Sequence, residues 1–106
     1  MATLERYGSG RFALVGDLDA VAVAELLRGA PPGVAGEDAP AKAIQIDLHG
    51  VGRVDSAALG LVVAWARQAA RQGRQVILCD APENLIALAR VSNLDQVLGL
   101  DRPCAR

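Results

Sequence analysis

The chain has 106 residues, and 11 lysines and arginines against 12 aspartates and glutamates give it a formal net charge of −1. This length fits one domain with one modest core over residues 1–106, and a hydrophobic content of 52% argues against disorder. The near-neutral charge argues against a broad binding surface for nucleic acid or anionic lipid, and no apolar run reaches membrane-spanning length, so we expect a cytoplasmic protein without membrane insertion.

The hydrophobic periodicity and the turn residues predict a series of strands and helices. In chain order, these are a short edge strand over Thr3–Tyr7, a strand over Arg11–Val15, a helix from Ala20 to about Arg28, a central strand over Ala43–Leu48, a helix over Ser56–Gln72, a strand over Gln75–Cys79 and a helix from Pro82 to about Val91. Between the elements, the residues predict a turn at Gly16-Asp17-Leu18-Asp19, a surface loop over Ala30–Ala41, a helical turn or an edge strand over Leu94–Leu100, and a frayed tail from Asp101.

This order of elements predicts an α/β fold. The second half of the chain contains two successive strand–helix–strand units, which favour parallel strands with helices packed on the sheet. The first segments do not alternate in this way. We therefore expect a single mixed sheet with antiparallel pairing on its N-terminal side.

Signatures of enzymes, cofactors and metals are weak, so we expect a protein that is not an enzyme. The third glycine of a dinucleotide-binding loop would fall at Asp55, so that motif fails after Gly50-Val51-Gly52. The one histidine, His49, has no partner motif for catalysis, and no cysteine–histidine cluster has metal-ligand spacing. Of the two cysteines, Cys79 fits a small buried hydrophobic residue in a strand, and Cys104 fits an unpaired thiol in the tail.

The stretch from Gly50 to Leu61 is the most informative part of the sequence. Asp55 ends the Gly50–Asp55 loop and Ser56 begins the long helix, and both are residue types that cap helix N-termini. A loop and a helix cap are therefore a sufficient structural explanation of these residues, and a functional site is the alternative.

The long helix favours the functional alternative. At about 100° per residue, Leu59, Val62, Val63, Ala66 and Ala70 form an expected core stripe. The opposite side carries Ala57, Leu61, Ala64 and Trp65. Either the domain covers both sides of this helix, or Leu61 and Trp65 belong to an apolar patch that binds another protein. Because a short domain has few elements to cover a second face, we favour a protein interface.

These residues resemble those of a known family. The stretch Arg53-Val54-Asp55-Ser56-Ala57-Ala58-Leu59-Gly60 is similar to the signature loop and helix start of STAS domains, the family of bacterial anti-sigma-factor antagonists. Gly16-Asp17-Leu18-Asp19 resembles an early turn of that family, and the resemblance covers a core of about residues 11–100. Within the family, Ile46-Asp47-Leu48 and the stretch from Leu88 to Leu94 resemble the MlaB-type subunit of the Mla phospholipid ABC transporter.

The resemblance implies a STAS fold and a non-catalytic binding module without a cofactor. In its MlaB-type form, it implies an accessory subunit that binds the transporter ATPase, at the cytoplasmic face of the inner membrane, in a system that maintains outer-membrane lipid asymmetry. The alternative is an antagonist that sequesters an anti-sigma serine kinase and is controlled by phosphorylation of Ser56. The residues expected at the partner interface are Arg53, Asp55, Ser56, Ala57, Leu61 and Trp65.

The chain departs from the antagonist pattern directly after Ser56. Ala57 and Ala58 stand where the family's antagonists have serine and glycine. This difference weakens the implication of kinase control. It is compatible with a constitutive subunit, in which the start of the helix only has to pack against a partner.

Overall fold

The computed structural model of the chain describes residues 2–29, 43–94, 98–100 and 102–104. Its elements in chain order are β1 (Ala2–Gly8), β2 (Arg11–Leu18), α1 (Ala20–Arg28), β3 (Ala43–Asp47), β4 (Val51–Val54), α2 (Ser56–Arg71), β5 (Gln75–Cys79) and α3 (Glu83–Val91). The predicted loop over 30–41 lies outside the described residues.

The five strands form a single mixed sheet, as the sequence predicts. β2 pairs with β1 in antiparallel fashion, and the strand order continues through β3 to β5 with parallel pairing. β4 also pairs with β2 in parallel, off the main path of the sheet. Strands β2, β3, β4 and β5 therefore run in one direction, and the loops that follow them lie at one edge of the sheet.

The region around β4 differs from the prediction in two ways. β2 continues through Leu18, where a turn was expected, and Gly16 within it has a φ of 109° that favours glycine. The predicted loop Gly50–Asp55 contains a strand, because Val51 and Val54 pair with Gly16 and Leu18. The sequence indicated a loop here because β4 has four residues, too few to show a clear strand periodicity.

The core lies between the sheet and the helices. In β3, Ile44 and Ile46 are buried while the residues beside them are not, so the helices cover one face of the sheet. The helices pack side by side, with α2 in contact with both α1 and α3. The fully buried large side chains are Leu14, Leu18, Ile44, Ile46, Leu48, Leu61, Leu78, Leu85, Leu100, Val62 and Cys79.

Within the described residues, α1 and α2 each begin at a side-chain cap from the residue before them, Asp19 and Asp55. An Oδ1 of Asp19 accepts from the Ala22 N–H at 2.9 Å and so begins α1, as predicted. After the C-terminal end of α2, Gly73 has a φ of 71°, in keeping with its predicted place after the helix. Beyond α3, the Leu98 N–H donates to the Leu94 carbonyl at 2.9 Å, a helical spacing, and the residues between these two lie outside the described part of the chain.

The C-terminal residues correct the prediction of an unpaired Cys104 in a frayed tail. Cys104 forms a disulfide with Cys79 across a separation of 25 residues. Cys79 is fully buried as expected, but as half of a disulfide. Leu100 is 1% exposed, and the disulfide returns the end of the chain to β5. The sequence alone could not predict this disulfide, because the pairing depends on where the tail packs in the folded domain.

Candidate docking site

Asp55 fixes the position at which α2 begins. Its backbone is extended, and its Oδ1 accepts a hydrogen bond from the Ala57 N–H at 2.8 Å. Its carbonyl accepts from the Ala58 N–H at 3.0 Å, and its own N–H donates to Leu18 at the end of β2. The cap thus orients the first turn of the helix against the sheet and leaves Ser56 exposed on its surface.

A second aspartate positions the residues before the cap. An Oδ1 of Asp17, in β2, accepts a hydrogen bond from the Arg53 N–H at 2.8 Å. The same oxygen would overlap a Cβ on Gly52, so only glycine fits this position without a shift. On the other side, the Asn84 side chain approaches the Gly52 carbonyl at 3.5 Å. The backbone of β4 is therefore held by residues of β2 and α3.

A groove opens beside this braced segment. It has a volume of about 270 Å³ and is lined by Asp17, Leu18, Asp19, Arg53, Val54 and Asp55. Each of its three aspartates already uses one oxygen to accept a backbone N–H. The carboxylates outnumber the single guanidinium of Arg53, so the groove is acidic. We assign the aspartates first to structure, because their bonds fix two helix starts and β4.

The outward face of α2 continues the same surface. Ser56, Gly60 and Arg67 are exposed along it, and Ala64 is half-buried. These positions are three or four residues apart, so they lie on one side of the helix. A Cβ added to Gly60 would meet nothing within 4 Å. The first two turns of this face thus carry only small residues, which would allow another molecule to approach the helix backbone closely.

Leu61 and Trp65 do not belong to this surface, which corrects the prediction that both contact a partner. Leu61 is 0% exposed and Trp65 is 3% exposed. Both lie in the core cluster, and Trp65 also lines a cavity of about 350 Å³ with residues of β1 and α1.

The error came from the phase of the helical wheel. The buried stripe runs through Ala58, Leu61, Val62, Trp65 and Ala69, and Leu59 is buried at its margin. This arc is wide because α2 is the central helix, with the sheet beneath it and α1 and α3 on either side. The domain itself therefore covers Leu61 and Trp65, as the alternative to an interface patch held, while the face with Ser56, Gly60 and Arg67 stays exposed.

The remaining predicted site residues do lie together. Arg53, Asp55 and Ser56 are exposed, and Ala57 is half-buried beside them. All four belong to the junction between β4 and α2. Sequence reasoning missed Asp17 and Gly60. For Gly60 a signal existed, since a glycine inside a helix is costly and calls for a reason.

Other polar groups at this edge of the sheet have structural roles. His49 is exposed, and its N–H donates to the Asp47 Oδ1 at 2.8 Å in the turn after β3. Among the described residues, Asp47, Asp80 and Cys104 place potential metal-ligand atoms within 4.8 Å of one another. The sulfur of Cys104 is bonded to Cys79, so we assign no metal there.

No helix in the described residues has both the length and the apolar character needed to cross a membrane.

Comparisons with known proteins place the fold and the family. A family profile described as "Mlab, STAS domain" matches residues 3–100. The structure is similar to that of the anti-sigma factor antagonist SpoIIAA in its unphosphorylated form, with a TM-score of 0.67 and 17% sequence identity. That alignment covers 100% of this chain and 90% of the other, and it shows a shared fold. No curated protein matches the sequence significantly.

Proposed function

Because the chain belongs to the MlaB-type STAS domain family, we propose that it is a non-catalytic accessory subunit that binds the ATPase of a Mla-type phospholipid ABC transporter. In this role it supports the assembly or activity of the transporter. It works in the cytoplasm, at the inner face of the inner membrane, where its partner holds it. The transporter would contribute to the lipid asymmetry of the outer membrane.

One observation carries this proposal: the start of α2 is exposed, small in its side chains and rigidly positioned. Ser56 and Gly60 are exposed, and Ala57 between them is half-buried. Asp55 and Asp17 hold the backbone on the N-terminal side through hydrogen bonds of 2.8 Å. A surface that is already ordered loses little entropy on association, and this favours a lasting complex.

The burial of Leu61 and Trp65 changes where the binding energy must come from. The docking surface, defined here as Arg53, Asp55, Ser56, Ala57 and Gly60, contains no large apolar anchor. Small residues contribute shape complementarity, whereas anchors are commonly aromatic residues or arginines. We therefore infer that Arg53 is the anchor this surface offers, and that the partner supplies the apolar side chains that pack on the first two turns of α2.

The second candidate is an antagonist that sequesters an anti-sigma serine kinase. It is favoured by the exposure of Ser56 at the first position of α2, where a kinase could reach the hydroxyl. A phosphate at this helix start would be tolerated by the fold, since helix N-termini accept anions. The two alanines after Ser56 still favour the transporter subunit.

A direct comparison of two partners tests the proposal. The purified chain is titrated with the ATPase subunit of a Mla-type transporter and, separately, incubated with an anti-sigma serine kinase and ATP. We expect a stable complex with the ATPase and no phosphate on Ser56 by mass spectrometry. Kinase-dependent phosphorylation without ATPase binding would establish the second candidate.

A matched pair of variants locates the surface. Ser56→Trp places a large side chain at the start of α2, and Arg71→Ala changes an exposed residue at its other end. We expect Ser56→Trp to lose the ATPase and Arg71→Ala to retain it. If both variants bind as the wild type does, the docking surface lies elsewhere.

A further inference from the structure

The end of the chain is fastened to the end of β5 at three points. Cys104 is disulfide-bonded to Cys79, the last residue of the strand. The Asp80 N–H donates to the Arg102 carbonyl at 3.0 Å, and an Oδ1 of Asp80 accepts from the Cys104 N–H at 3.3 Å. Two adjacent residues, Cys79 and Asp80, therefore hold the described tail residues.

The two cysteines differ in how much of the whole residue is exposed. Cys79 is 0% exposed, whereas Cys104 is half-buried. Thiol–disulfide exchange begins when a thiolate attacks one sulfur and the other leaves. The exposure directs this attack to Cys104, so that Cys79 is the leaving group. The Cys79 Sγ lies 3.5 Å from the Ile46 carbonyl, which can accept a hydrogen bond from the released thiol.

Opening the bond does not require the sheet to open. β5 pairs with β3 over its whole length, from Gln75 to Cys79, and these contacts do not involve the tail. Leu100 is buried and anchors the chain before the tail. Reduction would remove the covalent fastening of Arg102–Cys104 and leave the hydrogen bonds to Asp80. When these bonds open, the tail can move away and widen the cavity of about 220 Å³ that Arg102 and Pro103 line together with Asp80, Ala81, Ile86 and Leu100.

We propose that Cys79 and Cys104 form a reversible redox clamp that glutathione opens and glutathione disulfide closes. A glutathione thiolate attacks the Cys104 sulfur, the protein disulfide breaks, and the Cys79 thiolate leaves and takes up a proton. A second glutathione thiolate attacks the glutathione sulfur of the mixed disulfide. This step releases Cys104 as a thiol after protonation and forms glutathione disulfide, so two glutathiones supply the two electrons.

The clamp lies at the same edge of the sheet as the docking surface but shares no residue with it. Disulfides in a reducing compartment are usually transient or redox-sensing. That the oxidised and reduced forms both occur in the cell thus rests on the cytoplasmic location proposed above. The exchange reaction itself does not depend on that location, and experiments on the purified protein test it separately.

The first test counts thiols at equilibrium. The full chain is equilibrated at stepwise ratios of glutathione to glutathione disulfide, quenched with acid, denatured and alkylated, and its intact mass is measured. We expect two alkylated thiols under excess glutathione and none under excess glutathione disulfide. Two labels at every ratio, no label at any ratio, or a disulfide-linked dimer would each overturn the proposal.

The second test asks what the clamp holds. Reduction should lower the melting temperature by roughly 5–15 °C and accelerate hydrogen exchange in the C-terminal peptide but not in β3 or β5. Cys104→Ser should match the reduced wild type in both oxidising and reducing buffer. Equal melting temperatures for the two forms, or faster exchange throughout the sheet, would show that the bond is not a clamp on the tail.

Discussion

An Oδ1 of Asp17 accepts a hydrogen bond from the backbone N–H of Arg53 at 2.8 Å, across 36 positions of sequence. This bond joins the end of β2 to β4, which leads directly into the cap of α2. The position of the docking surface therefore depends on a residue outside the Arg53–Gly60 stretch, in the early turn that also resembles the family. The acceptor is a side-chain oxygen of β2, so a substitution at Asp17 removes the bond without changing any residue of β4.

Asp17→Ala should destabilise the domain by about 0.5–1.5 kcal/mol, the net contribution of one hydrogen bond, because it removes the acceptor of the exposed Arg53 N–H. Urea denaturation measures this loss. Asp17→Asn keeps an oxygen in the same place and should cost less than half as much. If the two variants are equally unstable, the charge of Asp17 matters and its hydrogen bond does not.

Two glycines should respond to alanine in opposite directions. In Gly52→Ala the new Cβ overlaps the Asp17 Oδ1, so we expect a loss of about 1–3 kcal/mol in the free energy of unfolding. In Gly60→Ala the new methyl group meets open space in a helix, so we expect a gain of about 0.5–1 kcal/mol. Thermal melts of both variants beside the wild type measure the signs. A stabilised Gly52→Ala would contradict the close packing of Asp17.

Trp65→Ala should destabilise the domain by about 3–5 kcal/mol, the usual cost of emptying a buried aromatic site. The reason is that Trp65 is 3% exposed and lies in the core cluster. Arg67→Ala, an exposed change on the same helix, is the control and should stay within about 0.5 kcal/mol of the wild type. An unchanged melting temperature for Trp65→Ala would contradict the burial of Trp65 and support its original assignment to the surface.

Ser56→Asp should fold normally and bind the partner poorly. A carboxylate at a helix start is tolerated or mildly favourable, but burying it against a partner costs desolvation energy. Ser56→Ala retains the size of the site and should bind nearly as well as the wild type. Circular dichroism and a calorimetric titration with the ATPase subunit measure the two effects. Equal affinities for Ser56→Asp and the wild type would show that Ser56 is not part of the interface.

Asp55 combines a structural role with a charge, and two substitutions separate them. Asp55→Asn keeps an oxygen for the Ala57 N–H and should retain nearly all the stability. Asp55→Ala removes the cap and should cost about 0.5–2 kcal/mol. If the carboxylate also contacts the partner, Asp55→Asn alone weakens binding, and titrations at two salt concentrations detect this. Unchanged binding by Asp55→Asn would restrict Asp55 to its role as a cap.

The sequence predicted the elements whose signals are local. Asp19 and Asp55 are recognisable caps, and the mixed sheet followed from the order of strands and helices. What it could not predict depends on neighbours distant in sequence. Trp65 is buried because α1 and α3 flank α2, and Cys104 meets Cys79 because the tail packs back on β5. A helical wheel gives the relative positions of residues, but only the assembled domain determines how much of the wheel is covered.

The pairing of β2 with three other strands has a consequence for synthesis of the chain. β1 and β2 form a local hairpin that can close as soon as it leaves the ribosome, whereas β3 begins only at Ala43 and β4 at Val51. Until those residues emerge, the second edge of β2 has no strand to pair with, and Phe12 and Leu14 lack most of their apolar neighbours. An unpaired edge beside apolar side chains favours aggregation. The nascent chain is therefore most vulnerable before β3 is made, and a chaperone that shields strand edges should raise its yield more than one that acts after release.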